Sequence, residues 1–344
     1  MSIPTNKEIS KVTYEGVEIP LPSGSGTDFL QWKCDNAKTL HLEFANMGNV
    51  DFDEFNEMLK KLDTSNVITI QSIFQNYMGS TLDVSSFRTS NVTNMSNVFN
   101  GCNSLLSIDL SNWDTTNVLS MEEMFANNYK LKTLDLSNFN TSNVRTMKNM
   151  FNSCKGLVNL DLSSFDTSSV SSINGMFTNC TDLTSLDLTG WNTSNNTDWQ
   201  SVFRGCHSLQ NILGTIDMIR GGYTGNMFYQ CIRLTTVTLK NIKANLKIGS
   251  GTSDGHLLTL DTLINTIKEL WDYSSGTTTY NLILSTPSKE LLSNVYVKLI
   301  TATEEQIAQD PNIIYKMPCE VCESTDEGAM LITDYATLKK WTIE

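Results

Sequence analysis

The chain has 344 residues, 40% hydrophobic and 18% charged, with 24 Lys and Arg against 37 Asp and Glu. A net charge of −13 opposes nucleic acid or an anionic membrane as the main partner. No run of about 18 apolar residues occurs, which excludes a membrane-spanning helix. The opening MSIPTNKEISK has no signal-peptide core, so the product is expected to stay inside the cell unless something else carries it out.

Residues 9–22, ISKVTYEGVEIPLP, alternate apolar side chains around Glu15-Gly16, the pattern of a hairpin. Ser23-Gly24-Ser25-Gly26 comes next as a flexible link. CDNAKTLHLEF, from Cys34 to Phe44, reads as the degenerate first rung of a repeat array. DFDEFNEMLKKL at 51–62 is an amphipathic helix that would cap an array otherwise exposing apolar surface and strand edges.

From residue 62 the chain repeats itself. Phe99, Phe125, Phe151, Phe177 and Phe203 recur every 26 residues, with Phe74 and Phe228 at 25 on either side. Cys154, Cys180 and Cys206 keep the same period, Asn128 stands where a Cys is expected, and Cys231 lies 25 after Cys206. A strict period marks a repeat position rather than a disulfide scheme. In the unit LDLSNFNTSNVRTMKNMFNSC (134–154), Leu134 and Leu136 alternate with Asp135 and Ser137, the period of a strand with one buried face. Val144, Met147, Met150, Phe151, Cys154 and Leu157 succeed them at helical steps, with Thr141-Ser142-Asn143 as caps. One such unit cannot bury its own apolar face, so neighbours must stack, with strands about 4.8 Å apart.

The motif LDLSxFxTSNVxxMxxMFxxC resembles the BspA-like leucine-rich repeat of bacterial surface proteins, also seen in mycoplasma-type surface lipoproteins and in phage particles. The resemblance covers residues 62–240. It implies an α/β solenoid, a leucine-rich-repeat-like right-handed array with a parallel sheet, about 26 residues per rung and irregular capping ends. Asn196 in place of Val144, and the unit opening at Ile212 without the LDL pattern, predict looser stacking there. The domain reading is an N-terminal hairpin arm and linker at 1–27, a cap at 28–61, repeats at 62–240, and a C-terminal extension or cap domain at 241–344. Within the last, Leu260 to Trp271 make a helical face, TTTYNLILS (277–285) a strand, 289–299, 303–309 and 333–340 helical segments, and 341–343 a final strand.

The outward strand positions form a column, Asp83, Asp109, Asp135, Asp161 and Asp187. Like charges about 5 Å apart repel, so either the face takes a cation or a basic hydrogen-bonding partner, or neighbouring Ser, Asn and solvent screen it. Calcium suits such oxygen ligands, and no other cofactor is expected. Asn66, Asn91, Asn117 and Asn143 are read as helix caps or as ladders to backbone groups. Cys319-Glu320-Val321-Cys322 lacks the second pair of a zinc site and reads as structural thiols or a local disulfide in an exposed loop. His207 occupies a variable exposed position, and His41 and His256 lie in unrelated contexts.

No phosphate loop, nucleophile elbow or paired-His motif is present, and the resemblance is to adhesion and binding scaffolds rather than enzymes. The expectation is a non-enzymatic structural or binding protein of a bacteriophage tail, baseplate or fibre. The N-terminal hairpin and linker are similar to short N-terminal segments of phage structural proteins. Its expected partners are other virion proteins through the N-terminal arm and a bacterial surface protein or glycan, with room for homo-oligomerisation. The alternative is a BspA-like bacterial surface adhesin binding host matrix protein or carbohydrate.

Overall fold

The computed structural model describes residues 9–14, 17–19, 41–44, 52–60, 62–248, 258–270, 280–284, 288, 292–299, 319–322, 325–326, 329–339 and 341–343. They belong to two compact units, Met1–Leu183 and Thr184–Glu344.

The first unit opens with the expected hairpin. Strand β1 (Ile9–Tyr14) pairs antiparallel with β2 (Val17–Ile19), and on its other side with β3 (His41–Phe44), in the order β2-β1-β3. The segment ending at Phe44 is therefore an antiparallel edge strand rather than a first parallel rung. The linker and Cys34 lie outside the described residues. Helix α1 (Phe52–Leu59) buries Phe55 and Leu59 and exposes Asp53 and Glu57. It caps the repeats through the amide of Asn56, which accepts from Asp83 N–H at 2.9 Å and donates to Thr81 O at 3.5 Å. This satisfies backbone groups at an open end.

The repeats differ from the sequence expectation in which part knits them together. The apolar positions are inward as predicted: Leu134, Leu136, Phe139, Val144, Met147, Met150, Phe151 and Cys154 are all buried. In this unit, however, the triplets at 108–110 (IDL), 134–136 and 160–162 (LDL) are without strand pairing, and residues 146–154 form successive turns rather than a helix. Met150 N–H closes on Met147 O, and Cys154 N–H on Phe151 O. The third residues of these turns, Asn149 and Ser153, take φ of 54° and 61°, the left-handed region that Gly and Asn tolerate best. Because the chain turns every few residues, alternate N–H groups point to the next repeat. Met147, Asn149, Phe151 and Ser153 donate to Ser172, Asn174, Met176 and Thr178 at 2.7–3.1 Å, a parallel ladder where a helix had been expected. Single parallel bridges extend it through Thr69, Asn94, Ser120, Thr146 and Ser172.

The same geometry stacks the aromatic column. Phe74, Phe99, Phe125, Phe151 and Phe177 lie 5.5–5.8 Å apart with rings 1–16° from parallel. Each such pair contributes about 0.5–1.5 kcal/mol beyond burial.

In the second unit the LDL position does form strands. β4 (Ser185–Asp187), β5 (Asn211–Asp217) and β6 (Thr236–Lys240) make an open three-stranded parallel sheet with Leu186 opposite Ile212 and Ile212 opposite Val237. The unit opening at Ile212 is paired on both sides, and its irregularity is one register shift between Ile212 and Thr215. Gly214 sits in that bulge at φ +84°, where a Cβ would come 2.6 Å from the Leu188–Thr189 backbone. Asn196 is buried, with its N–H on Thr193 O.

Beyond the repeats, β7 (Leu246–Ile248), β8 (Tyr280–Leu284) and β12 (Trp341–Ile343) form a second parallel sheet. A separate antiparallel sheet runs in the order β10-β9-β11, from Cys319–Cys322, Tyr296–Leu299 and Met330–Leu331. The helical reading of 289–299 fails over Tyr296–Leu299, a β-branched and aromatic run (YVKL) that suits a strand. The segment 303–309 lies outside the described residues. Helices α2 (Leu260–Lys268) and α3 (Ile332–Leu338) fall where predicted. Thr259 caps α2 by accepting from Thr262 N–H. The buried ammonium of Lys339 donates to Lys268 O and Leu270 O at 3.1 and 3.0 Å, offsetting the negative end of the helix dipole.

Candidate functional site

The predicted aspartates are placed outward and exposed or half-exposed. Asp83, Asp109, Asp135 and Asp161 stand on the unpaired triplets of the first unit, and of the five only Asp187, in the second unit, is on a strand. Each performs the same local task. Oδ1 of Asp83, Asp109, Asp135, Asp161 and Asp187 accepts the N–H two residues on, from Ser85, Ser111, Ser137, Ser163 and Thr189, at 2.8–3.0 Å. This is the Asx turn that ends each LDL segment. The hydrogen bonds also answer how a line of like charges is tolerated. Bonds from the hydroxyl and N–H of Ser85, Ser111 and Thr189 hold the carboxyls of Asp83, Asp109 and Asp187 below their ordinary 3.8, and for Asp135 the Ser137 N–H leads. Repulsion from Asp83 and Asp135 raises Asp109, but these are its smallest contributions. Donors to the charged form outweigh the neighbours.

A second set of Asx turns lies further along each repeat. Asp63, Asp114, Asn140, Asp166 and Asn192 accept from Ser65, Thr116, Ser142, Ser168 and Ser194 at 2.9–3.1 Å. Asp and Asn interchange in that set, so the turn itself requires an acceptor and not a charge.

At the α1 end of the first column an open groove of about 700 Å3 carries Asp53, Glu57, Asp83 and Asp109. Lys60 reaches across it, 2.7 Å from Glu57 and 3.4 Å from Asp83. These two carboxylates, Glu57 first, raise the Lys60 ammonium above its ordinary value. Among the described residues no three His, Cys, Asp or Glu side chains converge as a metal site. The column thus holds its carboxylates one per repeat, not in the cluster that calcium coordination takes.

The other singled-out residues resolve into links between repeats. Asn91, Asn117 and Asn143 donate Nδ2 to Ser65 O, Ser90 O and Thr116 O of the preceding repeat at 2.7–2.8 Å. They are ladders to backbone, and not helix caps. Cys102, Cys154 and Cys180 in the first unit, and Cys231 in the second, direct Sγ at Phe74 O, Phe125 O, Phe151 O and Phe203 O at 2.9–3.2 Å. Burial pushes the Cys102, Cys180 and Cys231 thiols up to about 12, and Cys154 well above its ordinary value. Asn128 replaces the thiol with Nδ2, donating to Phe99 O and Phe125 O at 2.9 and 2.7 Å. Cys322 stands on strand β10 with Cys319. Residues three apart on a strand are about 10 Å apart, beyond disulfide reach, which corrects the reading of an exposed loop with a local bridge. His207 is exposed.

Two features were missed from sequence. Thr64, Thr89, Thr115 and Thr141, all buried, donate Oγ1 to Arg88 O, Asp114 O, Asn140 O and Asp166 O of the next repeat at 2.9–3.2 Å. The first three also accept the N–H of that same residue at 2.7–2.8 Å. The other is the left-handed column Ser72, Asn97, Glu123, Asn149 and Gly175, whose Asn, Gly and Ser content was the signal for turns.

These links define a protein of tandem repeats of about 26 residues, joined by backbone ladders and by side chains reaching across to neighbouring repeats. The chain belongs to the family described as Mycoplasma protein of unknown function, DUF285, whose model matches residues 40–157 and again 120–241, together more than half its length. No curated protein and no solved structure matches the chain. No helix among the described residues is long and apolar enough to cross a membrane.

Proposed function

We propose that the repeats form a right-handed leucine-rich-repeat solenoid of the BspA-like type, and that the chain is a non-enzymatic binding protein carried on a bacteriophage tail, baseplate or fibre. The observation that supports a display role is how the repeat spends its residues. Positions that recur in most repeats are buried or hydrogen-bonded to backbone, as with Phe151, Cys154, Thr115 and Asn117. Outward positions such as half-buried Asn103 and Thr181 and exposed Tyr129 and Lys155 change from repeat to repeat. A constant coil with changing outward side chains is what a recognition surface requires, and fold alone does not choose the ligand. The N-terminal hairpin supports attachment to a particle, because β2 is an edge strand of its sheet and an edge can take another chain's strand.

Mass spectrometry of purified phage particles from a host carrying the gene tests the placement, with the chain expected among the structural proteins. Its absence from particles, together with recovery from the bacterial surface, would instead support the adhesin reading, which the repeat resemblance favours equally.

A further inference from the structure

Internal repeats serve as their own alignment. Positions that vary while the backbone stays constant answer to something other than the coil. At one corner of the unit Met1–Leu183, just past the buried Cys column, these positions share a chemistry. Segments 103–107, 129–133 and 155–159 lie side by side. Lys132 N–H donates to Leu106 O at 3.0 Å, and Gly156 sits so near the carbonyls of Leu131 and Tyr129 that a Cβ would lie 3.0 and 3.2 Å from them. These segments carry Lys130, Lys132 and Lys155, all exposed, and no Asp or Glu. Residues 62–183 hold ten carboxylates and six cations, so half of the cations stand here.

Among the described residues none of the three lysines has a carboxylate within ion-pair distance. The Lys155 ammonium lies 4.7 Å above the Tyr129 ring, a cation–π contact that leaves its charge available. Leu106, Tyr129 and Val158 are 49%, 44% and 44% exposed beside them.

We propose that this corner is an interaction surface for an acidic polypeptide segment that also carries aliphatic side chains. The inference rests on the reading of the repeats as a display scaffold. Three lysines without a carboxylate partner call for anions, since complementary charge steers and orients binding. Leu106 and Val158 call for apolar groups at the same place. An anionic glycan offers the charge but nothing aliphatic, and an anionic bilayer presents its charge to the whole facing surface of a chain of net charge −13, whereas a short segment meets only this corner, other charges being screened beyond about 10 Å. The corner is distinct from the Asp column and has the opposite charge.

The test is fluorescence anisotropy of the full chain with a labelled peptide of alternating Glu and Leu. Polygalacturonate and vesicles of phosphatidylcholine with phosphatidylglycerol serve as competitors. Lys130→Gln/Lys132→Gln/Lys155→Gln should weaken binding by about tenfold or more. Leu106→Ser/Val158→Ser should weaken it several-fold, and Asp109→Asn/Asp135→Asn/Asp161→Asn should not. Far-UV circular dichroism checks that these exposed changes leave the fold intact. Absence of peptide binding, or binding that the lysine and aliphatic variants retain, overturns the proposal. So does full competition by polygalacturonate or vesicles while Leu106→Ser/Val158→Ser is silent, which would assign the corner to a glycan or a membrane surface. Particle mass spectrometry tests the scaffold reading separately, so a chain found in virions that binds no peptide sinks this inference alone.

Discussion

Replacing Thr115 by Val probes the link between repeats most directly. Thr115 is 1% exposed, and its Oγ1 donates to Asn140 O at 2.9 Å while accepting Asn140 N–H at 2.8 Å. Val has nearly the same shape, so the change removes two hydrogen bonds without opening a cavity. An orphaned buried backbone group costs about 1–3 kcal/mol. Asn140 itself is exposed and both bonds are part-buried, which sets each near the lower end, about 1 kcal/mol. The methyl that replaces the hydroxyl returns up to about 0.8 kcal/mol, leaving a net loss of about 1.5 kcal/mol. Hydrogen exchange followed by NMR should show the Asn140 amide, 25 residues away, exchanging about tenfold faster, since 1.4 kcal/mol is a factor of ten. Thr115→Ser keeps the hydroxyl and should leave that amide protected. If the faster exchange were confined to Val118, whose N–H bonds Thr115 O at 3.0 Å, Thr115 would be a local turn cap and the cross-repeat role would be wrong.

Asn128→Cys should stabilise the chain by about 1 kcal/mol, because it restores the column thiol and removes a buried Oδ1 that lacks a partner; a lowered urea midpoint would contradict this. Gly214→Ala places a methyl 2.6 Å from the Leu188–Thr189 backbone at φ +84°, whereas Gly190→Ala at φ +90° meets nothing within 4 Å. The first should cost about 2–5 kcal/mol and the second about 1–2 kcal/mol, and equal midpoints would refute the close approach. Iodoacetamide at neutral pH should leave Cys102, Cys154, Cys180 and Cys231 unlabelled until denaturant is added, since burial raises all four thiols and the thiolate is the nucleophile. The folded-state pKa values of Asp83, Asp109, Asp135 and Asp187 lie below the ordinary 3.8. Their stabilising contribution is therefore present above 3.8 and lost as pH falls through the folded values. Urea midpoints should drop more steeply in acid for the parent chain than for Asp109→Asn/Asp135→Asn, and parallel curves would show that the Ser bonds add nothing.

Burial was legible in the sequence because it depends only on which side chains are apolar and how often they recur. Phe151, Met147 and Cys154 point inward whether the backbone is helical or turning. Backbone conformation was not legible from that period, since steps of three and four fit a run of β-turns as well as a helix. The discriminating letters were polar. Asn149, Gly175 and Asn97 recur at one position, and these are residues that tolerate positive φ. Glu123 shares the column at φ 56°, accepting from Asn100 and Asn149 in the flanking repeats at 2.9 and 3.4 Å. Tyr296–Leu299 was misread for a related reason, because a short apolar run carries no period long enough to separate strand from helix.

The aspartates were found from sequence and their task was not, because an Asx turn depends on the residue two positions on, which a column of like residues conceals. Once that bond is counted, the repeated Asp no longer points to a ligand by its repetition. The second set of turns sharpens this, since Asn140 and Asn192 close the same geometry without charge. Whatever recurs in every repeat is therefore explained by the requirement that every repeat fold alike. Recognition of a particular partner is asymmetric and needs residues that break the repeat. Tyr129, Lys130, Lys132 and Lys155 break it on adjacent segments, with one sign of charge and with exposed aliphatic neighbours. The proposed acidic partner is what would give that combination its physical rationale.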